Sequence, residues 1–204
     1  MAANGKAADD GRVTDLATAT NTRLAEARGF GTTRQWWSGW YYGPAAPALN
    51  VGASNPGQAT QAWVPLWVPH AVTVDRIGME VTTGLAGHTV TLGIYGSTVD
   101  DEPGDLILTA GTIDPSTQGF KEITISQTLS RGLYWLSFHT TGKLNYRCII
   151  GSLYGVPAYA GGAYASQPHN NLRRYDLPGL TDPAPAVSAL SGGIYAPYIQ
   201  VRAA

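Results

Sequence analysis

From residue 34 onward, short runs of apolar and β-branched residues alternate with clusters of Gly, Pro, Asn and Asp. Runs of this length and spacing are typical of the strands of a β-sandwich. In residues 89–96, TVTLGIYG, the apolar residues Val90, Leu92 and Ile94 occupy every second position. This alternation predicts a strand with one face turned towards a core.

Two further segments predict how strands lie in the sheets. Residues 72–81, VTVDRIGMEV, carry apolar residues on one parity before Asp75 and on the other parity after Arg76. Because such a switch would otherwise turn half of the strand outward, it predicts a β-bulge at Asp75–Arg76. Residues 132–140, GLYWLSFHT, are apolar on both parities, which predicts a central strand that is buried on both faces.

Proline and glycine mark the segments that are less regular. Residues 63–69, WVPLWVP, include Pro65 and Pro69, which cannot donate to a sheet, so this segment is predicted to be an edge strand or to cross a sheet end. Residues 155–193 are rich in Gly, Pro, Ala and Asn and predict a long irregular connection between strands. The following residues 192–201, GGIYAPYIQV, predict a closing strand.

Helical periodicity is confined to residues 10–28. Apolar or small residues recur there at spacings of three and four, namely Val13, Leu16, Ala17, Thr20, Leu24 and Ala27. A short helix with so narrow a stripe needs a partner, which could be its own domain, another copy or another protein. We therefore expect an attachment or oligomerisation segment at 1–33 and a β-sandwich domain at 34–204. The predicted fold class is all-β, an antiparallel, jelly-roll-like β-sandwich preceded by a short N-terminal helix.

Composition narrows the classes of partner. Only 13% of the 204 residues are charged, the net charge is −1 and the pI is about 6.4, so there is no basic field for nucleic acid. No run of 18 apolar residues predicts a membrane-inserted helix, and the N-terminus has acids where a secretion signal would be apolar. Because a soluble protein with so few charges tends to associate, this composition favours a chain that functions within a larger assembly.

Residue types that carry chemistry do not form a recognisable catalytic or metal motif. The single Cys148 lies in an apolar run, and the four histidines lack the spacing of a zinc site. The acidic residues 100–105 surround a Pro-Gly turn and are interpreted as a solvated turn, with Ca²⁺ binding as the alternative. We therefore expect no enzyme, no metal and no cofactor. A polysaccharide-degrading enzyme, the minority hypothesis, would use carboxylates such as Asp75, Glu80, Asp101 and Asp176.

Residues 34–44, RQWWSGWYYGP, hold five aromatic side chains that could form a ligand platform or part of the fold. If the segment were a strand, one face would carry Trp36, Trp40 and Tyr42, and the other would carry Trp37 and Tyr41. Both faces would then need cover, since five exposed aromatic rings would promote aggregation. Core or subunit interface is therefore the preferred interpretation, and replacing Trp37 or Tyr41 is expected to weaken assembly.

A second candidate site is the predicted loop at residues 166–176, SQPHNNLRRYD. It combines an aromatic ring with amide, imidazole, guanidinium and carboxylate groups, the mixture that would stack on a sugar and bind its hydroxyls. The alternative is an ordinary surface loop at a subunit contact. The candidate ligand-binding residues are His169, Asn170, Asn171, Arg173, Arg174, Tyr175 and Asp176.

Residues 75–138 resemble a domain common in tailed-bacteriophage structural proteins. The matching features are DRIG with EVTT, LGIY followed by an acidic Pro-Gly turn, the block AGTID with STQGFKEITI, and TLSRGLYWL. Looser matches at WYYGP, WVPLWVP and the C-terminal strand extend the resemblance over most of the chain. The proteins in question are virion fibres, spikes and minor tail proteins, which are commonly trimers with an N-terminal attachment segment.

The resemblance implies a virion protein that is assembled in the host cytoplasm and binds other virion proteins through its N-terminal segment. It implies self-association as a homotrimer, for which the candidate interface residues are Val13, Leu16, Thr20, Leu24, Trp37 and Tyr41. The leading hypothesis adds adhesion to a host-surface polysaccharide. The alternative is a purely architectural capsid or tail component.

Overall fold

The computed structural model describes residues 35–44, 51–54, 60–150, 173–176, 179–180, 182, 191–192 and 195–204. The predicted helix at 10–28 lies outside the described residues, as does the predicted domain boundary at 33/34. The same holds for a group of candidate site residues, namely Val13, Leu16, Thr20, Leu24, His169, Asn170 and Asn171.

The described residues form thirteen strands. They are β1 (Tyr41–Tyr42), β2 (Val51–Ser54), β3 (Thr60–Val68), β4 (Val72–Thr83), β5 (Val90–Ser97), β6 (Pro103–Ile113), β7 (Gly119–Leu129), β8 (Gly132–Thr140), β9 (Asn145–Ile150), β10 (Arg173–Asp176), β11 (Ser191–Gly192), β12 (Tyr195–Pro197) and β13 (Ile199–Ala203).

These strands belong to two antiparallel sheets. The seven-stranded sheet has the order β1-β13-β4-β9-β12, with β7 paired to β4 and β2 paired to β9. The six-stranded sheet has the order β11-β10-β3-β8-β5-β6. The prediction of an all-β fold with antiparallel sheets is therefore confirmed for the part of the chain that the structure describes.

A single apolar core joins the two sheets. The six-stranded sheet contributes Val64, Leu66, Leu92, Ile94, Leu136 and Phe138, and the seven-stranded sheet contributes Ile77, Met79, Val81, Tyr146, Ile199 and Val201. The rings of Phe138 and Tyr146 meet edge to face across the core, with their centroids 5.1 Å apart. Two sheets whose inner faces interdigitate in this way form a β-sandwich.

The predicted bulge and the predicted central strand are both present. The register between β4 and β7 shifts between Val74 and Arg76, so both Val74 and Ile77 reach the core. Strand β8 lies between β3 and β5, and it is buried on both faces along most of its length. Local apolar parity was sufficient to predict these features, because each depends on which side of one strand is covered.

The prediction of one irregular connection over residues 155–193 is wrong at two places. Residues 173–176 form β10, which pairs with Thr60–Trp63 of β3, and residues 191–192 form β11, which pairs with β10. Pro65 lies beyond the stretch paired with β10 and faces Trp135 of β8 in the register. Residues 64–68 pair only with β8 among the described strands, which agrees with the predicted edge character, whereas Trp63 pairs with both β8 and β10.

Candidate binding surfaces

Two tryptophans are displayed on a tight turn, which we call the tryptophan turn (Trp37–Trp40). The Trp40 N–H donates to the Trp37 carbonyl at 3.1 Å, and Gly39 has a φ of 79°. A positive φ at the third position is characteristic of a type II turn, where glycine is favoured. Trp37 and Trp40 are 67% and 66% exposed, so two large apolar side chains stand at the two ends of one turn.

The base of the tryptophan turn is firmly held. Trp36 is only 8% exposed and its ring stacks on that of Tyr42, with centroids 4.3 Å apart and planes 1° from parallel. The Tyr42 hydroxyl accepts a hydrogen bond from the Trp37 N–H, and the Gly39 N–H donates to the Ala203 carbonyl at 2.8 Å. The exposed indoles are therefore carried by backbone that is fixed to β13.

The predicted division of the five aromatic residues is wrong for one of them. Trp40 was expected on the same side as Trp36 and Tyr42, yet those two are stacked together while Trp40 is exposed. The reason is the turn at Ser38–Gly39, which breaks the alternation that a continuous strand would have. Whether Trp37 and Tyr41 form a subunit interface stays a prediction.

Tyr41 lies on the outer face of the seven-stranded sheet, next to charged side chains. Its ring meets Phe120 edge to face at 5.4 Å, and its hydroxyl donates to Glu122. Burial, followed by the hydrogen bond to Glu122, raises the pKa of the Tyr41 hydroxyl. Arg202 lies 5.9 Å from the centre of the same ring, so Tyr41 already has partners within its own chain.

Two arginines hold two of the carboxylates that the enzyme hypothesis would need. Arg202 binds both oxygens of Asp75, at 2.9 and 2.7 Å, and Arg147 binds both oxygens of Glu80, at 2.9 and 2.6 Å. These hydrogen bonds hold the pKa of Asp75 and of Glu80 below their ordinary values. A carboxyl kept ionised in this way is poorly suited to donate a proton as a general acid.

These two arginine–carboxylate pairs predict that the folded protein loses stability in acid. A carboxylate whose pKa is depressed in the folded state contributes stability above its unfolded pKa and loses it as pH falls through the folded value. The midpoint of urea unfolding should therefore decrease as pH is lowered below the ordinary Glu and Asp values of 4.5 and 3.8. Glu80→Gln should flatten this decrease, whereas Asp105→Asn at an exposed position should not. An equal acid response in both variants would contradict the assignment.

Close approach of β4 and β7 on this face depends on Gly78. A Cβ at this position would lie 2.5 Å from the Lys121 carbonyl oxygen and 2.8 Å from Cζ of Phe120. Because the first contact is backbone, Gly78→Ala should force the strands apart and lower the free energy of unfolding by about 1–3 kcal/mol. In Gly96→Ala, where the nearest atom is Cδ1 of Ile107 at 3.6 Å, urea unfolding should change little. Equal stability of the two variants would contradict this explanation.

A second cluster lies on the side of the six-stranded sheet that is turned away from the core. Because it combines aromatic rings with buried polar groups, we call it the polar-aromatic face. Its buried members are Trp63, Tyr95, Leu133 and Trp135, with Trp67 and Leu106 packed against them. Trp63 and Tyr95 meet edge to face, with centroids 5.9 Å apart. Gln61 is fully buried beside them and its Nε2 donates to the Tyr95 hydroxyl at 2.8 Å.

Within this face, the Nε1 of Trp63 and the Oγ of Ser137 are buried without a hydrogen-bond partner. Trp63 and Ser137 are paired in the register of β3 and β8, and Ser137 is paired with Gly93 on its other side. A buried polar atom without a partner is uncommon and asks for an explanation, such as a bound molecule.

Part of the predicted recognition loop forms a strand that pairs with β3. In β10, Arg173 pairs with Trp63, Arg174 with Ala62, Tyr175 with Gln61 and Asp176 with Thr60. The loop assignment of these four residues was wrong, since pairing with a segment more than a hundred residues away leaves no local signal. Trp63 and Ser137 were not predicted as site residues, although a serine within the apolar run LYWLSF was a usable signal.

Two further candidates have their contacts within the described part of the chain. The acidic turn is closed by its own chain, since the Thr98 N–H donates to the Glu102 carbonyl at 2.8 Å and the Glu102 N–H donates to Thr98 Oγ1 at 3.1 Å. Cys148 is buried in the core, and burial raises the pKa of its thiol. Across the described ranges, no group of three or more His, Cys, Asp or Glu residues could hold a metal ion, and no helix could span a membrane.

Comparisons with known proteins yield distant similarities. No protein-family model matches the chain, and no curated protein matches it. Among solved structures, a chain of infectious bursal disease virus, Gt strain, has a TM-score of 0.33 and 12% identity over 53% of this chain. This chain spans only 29% of the length of that viral chain.

Two solved carbohydrate-binding modules are similar at the same level. A chitosan-binding module from a Paenibacillus sp. chitosanase/glucanase has a TM-score of 0.33 and 14% identity, covering 54% of this chain and 89% of its own. A module of the Cellvibrio mixtus lichenase 5A, solved with cellotriose, has a TM-score of 0.28 and 15% identity, covering 54% and 95%. Similarities this low do not define a family.

Proposed function

We propose that this chain is a non-enzymatic structural protein of a tailed-bacteriophage virion, a trimeric fibre, spike or decoration protein assembled in the host cytoplasm. The observation that carries the proposal is the tryptophan turn, with Trp37 and Trp40 two-thirds exposed on a fixed base. The sequence resemblance of residues 75–138 supplies the virion context. A jelly-roll-like connectivity and an N-terminal attachment helix are part of the same proposal.

The tryptophan turn suits a contact between subunits for three physical reasons. Tryptophan is enriched among the few residues that dominate binding energy at protein interfaces. Each indole can bury roughly 150–250 Å². The turn is already held by the stacked ring pair and by hydrogen bonds to β13, so binding would order little additional backbone.

The surroundings of the carboxylates also favour a structural role. Asp75 and Glu80 are each held by both oxygens in an arginine pair, and Asp114 binds the backbone and hydroxyl of Ser116. Each of these groups has a partner that explains its position in the fold. Loss of polysaccharide cleavage on replacing Asp75, Glu80, Asp101 or Asp176 would support the enzyme hypothesis, and absence of any cleavage of host polysaccharide would end it.

A second candidate function is adhesion to a host-surface glycan. The specific observation that favours it is the backbone register of β10, in which Arg173 pairs with Trp63 and Tyr175 pairs with Gln61. Aromatic side chains with a few convergent polar groups are typical of small-molecule sites. The adhesin and the purely architectural component differ in what covers residues 166–176 in the particle.

The test of the two candidates is a cryo-electron microscopy reconstruction of the intact particle with this chain placed in it. The structural proposal expects the tryptophan turn against a neighbouring subunit. Adhesion additionally expects residues 166–176 on the outer surface, whereas burial of that segment by neighbouring subunits would leave only the architectural function. A particle that lacks the chain would contradict the virion proposal.

A further inference from the structure

We propose that His70 is a pH-sensitive switch for the tryptophan turn: its neutral ring holds the turn in place, and protonation of the ring in mild acid releases the turn. The switch itself follows from hydrogen bonds within the chain. Its consequence for assembly, a trimer that weakens in mild acid, rests on the structural function proposed above. Three observations support it: the tautomer of His70, the way in which the two ends of the turn are held, and the charged groups around the ring.

The first observation is the tautomer of His70. The backbone N–H of Trp36 donates to His70 Nε2 at 2.9 Å, so this ring nitrogen is an acceptor and carries no proton. The other ring nitrogen, Nδ1, carries the proton of the neutral ring and donates to the Ala71 carbonyl at 3.0 Å. In a protonated ring both nitrogens are donors. Protonation therefore sets a ring N–H against the Trp36 N–H and breaks this hydrogen bond.

The second observation is that the two ends of the tryptophan turn are held differently. The end that leads into β1 is held by backbone pairing to β13. The end that begins at Trp36 is held by side chains, since the Trp36 N–H binds the His70 ring and the Trp37 N–H binds the Tyr42 hydroxyl. Because the rings of Trp36 and Tyr42 are stacked, movement of Trp36 also disturbs Tyr42. Loss of the His70 hydrogen bond therefore loosens the end of the turn that carries Trp37.

The third observation concerns the charged groups near His70, which lies in the connection between β3 and β4. The end of β3 pairs with the start of β8 and the start of β4 pairs with the end of β7, so the β7–β8 connection lies alongside. The charged side chain in that connection is Arg131, an exposed cation. The titratable group on β1 beside Trp36 is the Tyr42 phenol.

The charged groups on the neighbouring strands β4, β7 and β13 bind one another on the outer face of the seven-stranded sheet, namely Asp75, Arg76, Glu122 and Arg202. In the described part of the chain, no carboxylate forms an ion pair with His70. A proton on the His70 ring would therefore gain no paired carboxylate there, and it would cost the hydrogen bond from Trp36.

The direction of the pH effect follows from these contacts. The closed turn requires a neutral ring, whereas a ring that is released from Trp36 can take up a proton, so lowering the pH favours the loosened turn. Imidazole changes its charge between about pH 5 and pH 8. That range lies above 4.5 and 3.8, the ordinary pKa values of Glu and Asp, so the arginine-bound Glu80 and Asp75 stay ionised in it. The turn therefore loosens while those two pairs are intact.

The experiment is hydrogen–deuterium exchange of the full chain, followed in a peptide that begins before Trp36 and contains the tryptophan turn. Each variant is compared with the unaltered chain at the same pH, at about pH 8 and at about pH 5.5, so the intrinsic pH dependence of exchange cancels. His70→Ala removes the acceptor and should speed exchange about tenfold at the higher pH. At the lower pH the two proteins should exchange equally, since the protonated ring of the unaltered chain no longer accepts.

Two further variants serve as controls. In His70→Gln the carboxamide oxygen can accept from the Trp36 N–H and does not titrate in this range. This variant should exchange more slowly than His70→Ala at both pH values. His88 lies beside Thr141 at the other end of β8, so His88→Gln should keep the pH response of the unaltered chain.

Sedimentation velocity at the same two pH values tests the consequence for assembly. The proposed trimer of the unaltered chain should be weaker at the lower pH, and that of His70→Gln should not change. If the ratio of exchange rates between His70→Ala and the unaltered chain is the same at both pH values, His70 is not a switch, and the proposed trimer is unaffected by that result.

Two other results would overturn the regulation of assembly. A trimer that is equally tight at both pH values, together with pH-dependent exchange, would show that His70 does not control association. A chain that is monomeric at both pH values would reject the proposed trimer and with it the regulation of assembly, while the exchange rates would still show whether His70 holds the turn.

Discussion

Replacing Trp37 and Trp40 together by alanine is expected to dissociate the proposed trimer into monomers at micromolar concentration. Both side chains are two-thirds exposed, so their removal leaves no cavity, and the free energy of unfolding of the monomer should change by no more than about 0.5 kcal/mol. At an interface, truncation of such an anchor costs about 2–4 kcal/mol. Each truncation would therefore weaken association by a factor of about 30 to 1,000.

Sedimentation velocity across a range of protein concentrations measures this effect directly. The control is Val99→Ala, which shortens an apolar side chain that is 98% exposed at a different turn and should leave the proposed trimer intact. A double variant that remains trimeric at the same concentrations as the unaltered chain would show that the tryptophan turn is not the contact. Loss of the folded state in the double variant would contradict the assignment of both indoles as surface groups.

Replacing the adjacent Trp36 by alanine is expected to destabilise the fold of the single chain, in contrast to the replacement of Trp37 and Trp40. Trp36 is buried against the core and its ring lies flat on Tyr42, so its loss should lower the free energy of unfolding by about 3–5 kcal/mol. Because the Trp37 N–H donates to the Tyr42 hydroxyl, movement of Tyr42 would also loosen the tryptophan turn.

Urea unfolding monitored by circular dichroism distinguishes Trp36 from its neighbour. Trp37→Ala is the matched control, since it removes the same side chain one residue along the chain at an exposed position. The unaltered chain and Trp37→Ala should be equally stable, and both should be much more stable than Trp36→Ala. Equal unfolding midpoints for all three would mean that the ring stack contributes little to the fold.

Tyr41 is a less informative position for testing assembly than the sequence indicates. Its hydroxyl donates to Glu122 and its ring contacts Phe120 and lies near Arg202. Tyr41→Ala would therefore disturb the outer face of the seven-stranded sheet as well as any subunit contact. Tyr41→Phe, which keeps the ring and removes the hydroxyl, isolates the hydrogen bond.

Much of the fold could be predicted because it depends on which alternate positions of each strand are apolar. The switch of parity between Val74 and Ile77 predicted the bulge, and the apolar run of β8 predicted a strand covered on both faces. The failure at β10 and β11 has its physical origin in contacts that are distant along the chain. Strand β10 owes its conformation to backbone pairing with β3. Its own sequence is polar and typical of a loop, so it does not indicate this pairing.

The candidate sites were predictable only in part. The sequence identified 34–44 as an aromatic segment of importance, but parity could not predict the turn at Gly39 that exposes Trp40 and separates it from Trp36. The polar-aromatic face was missed because it combines residues from three strands, each of which has an ordinary apolar sequence by itself. Only the pairing across the sheet brings Trp63, Ser137 and Gly93 side by side.

The central claim is that the protein assembles with copies of itself, and the molar mass of the unaltered chain in solution tests it most directly. Multi-angle light scattering on a micromolar sample should give a mass three times the 21.5 kDa of one chain. A single species of 21.5 kDa, stable over that concentration range, would contradict the trimer and remove the assembly role of the tryptophan turn.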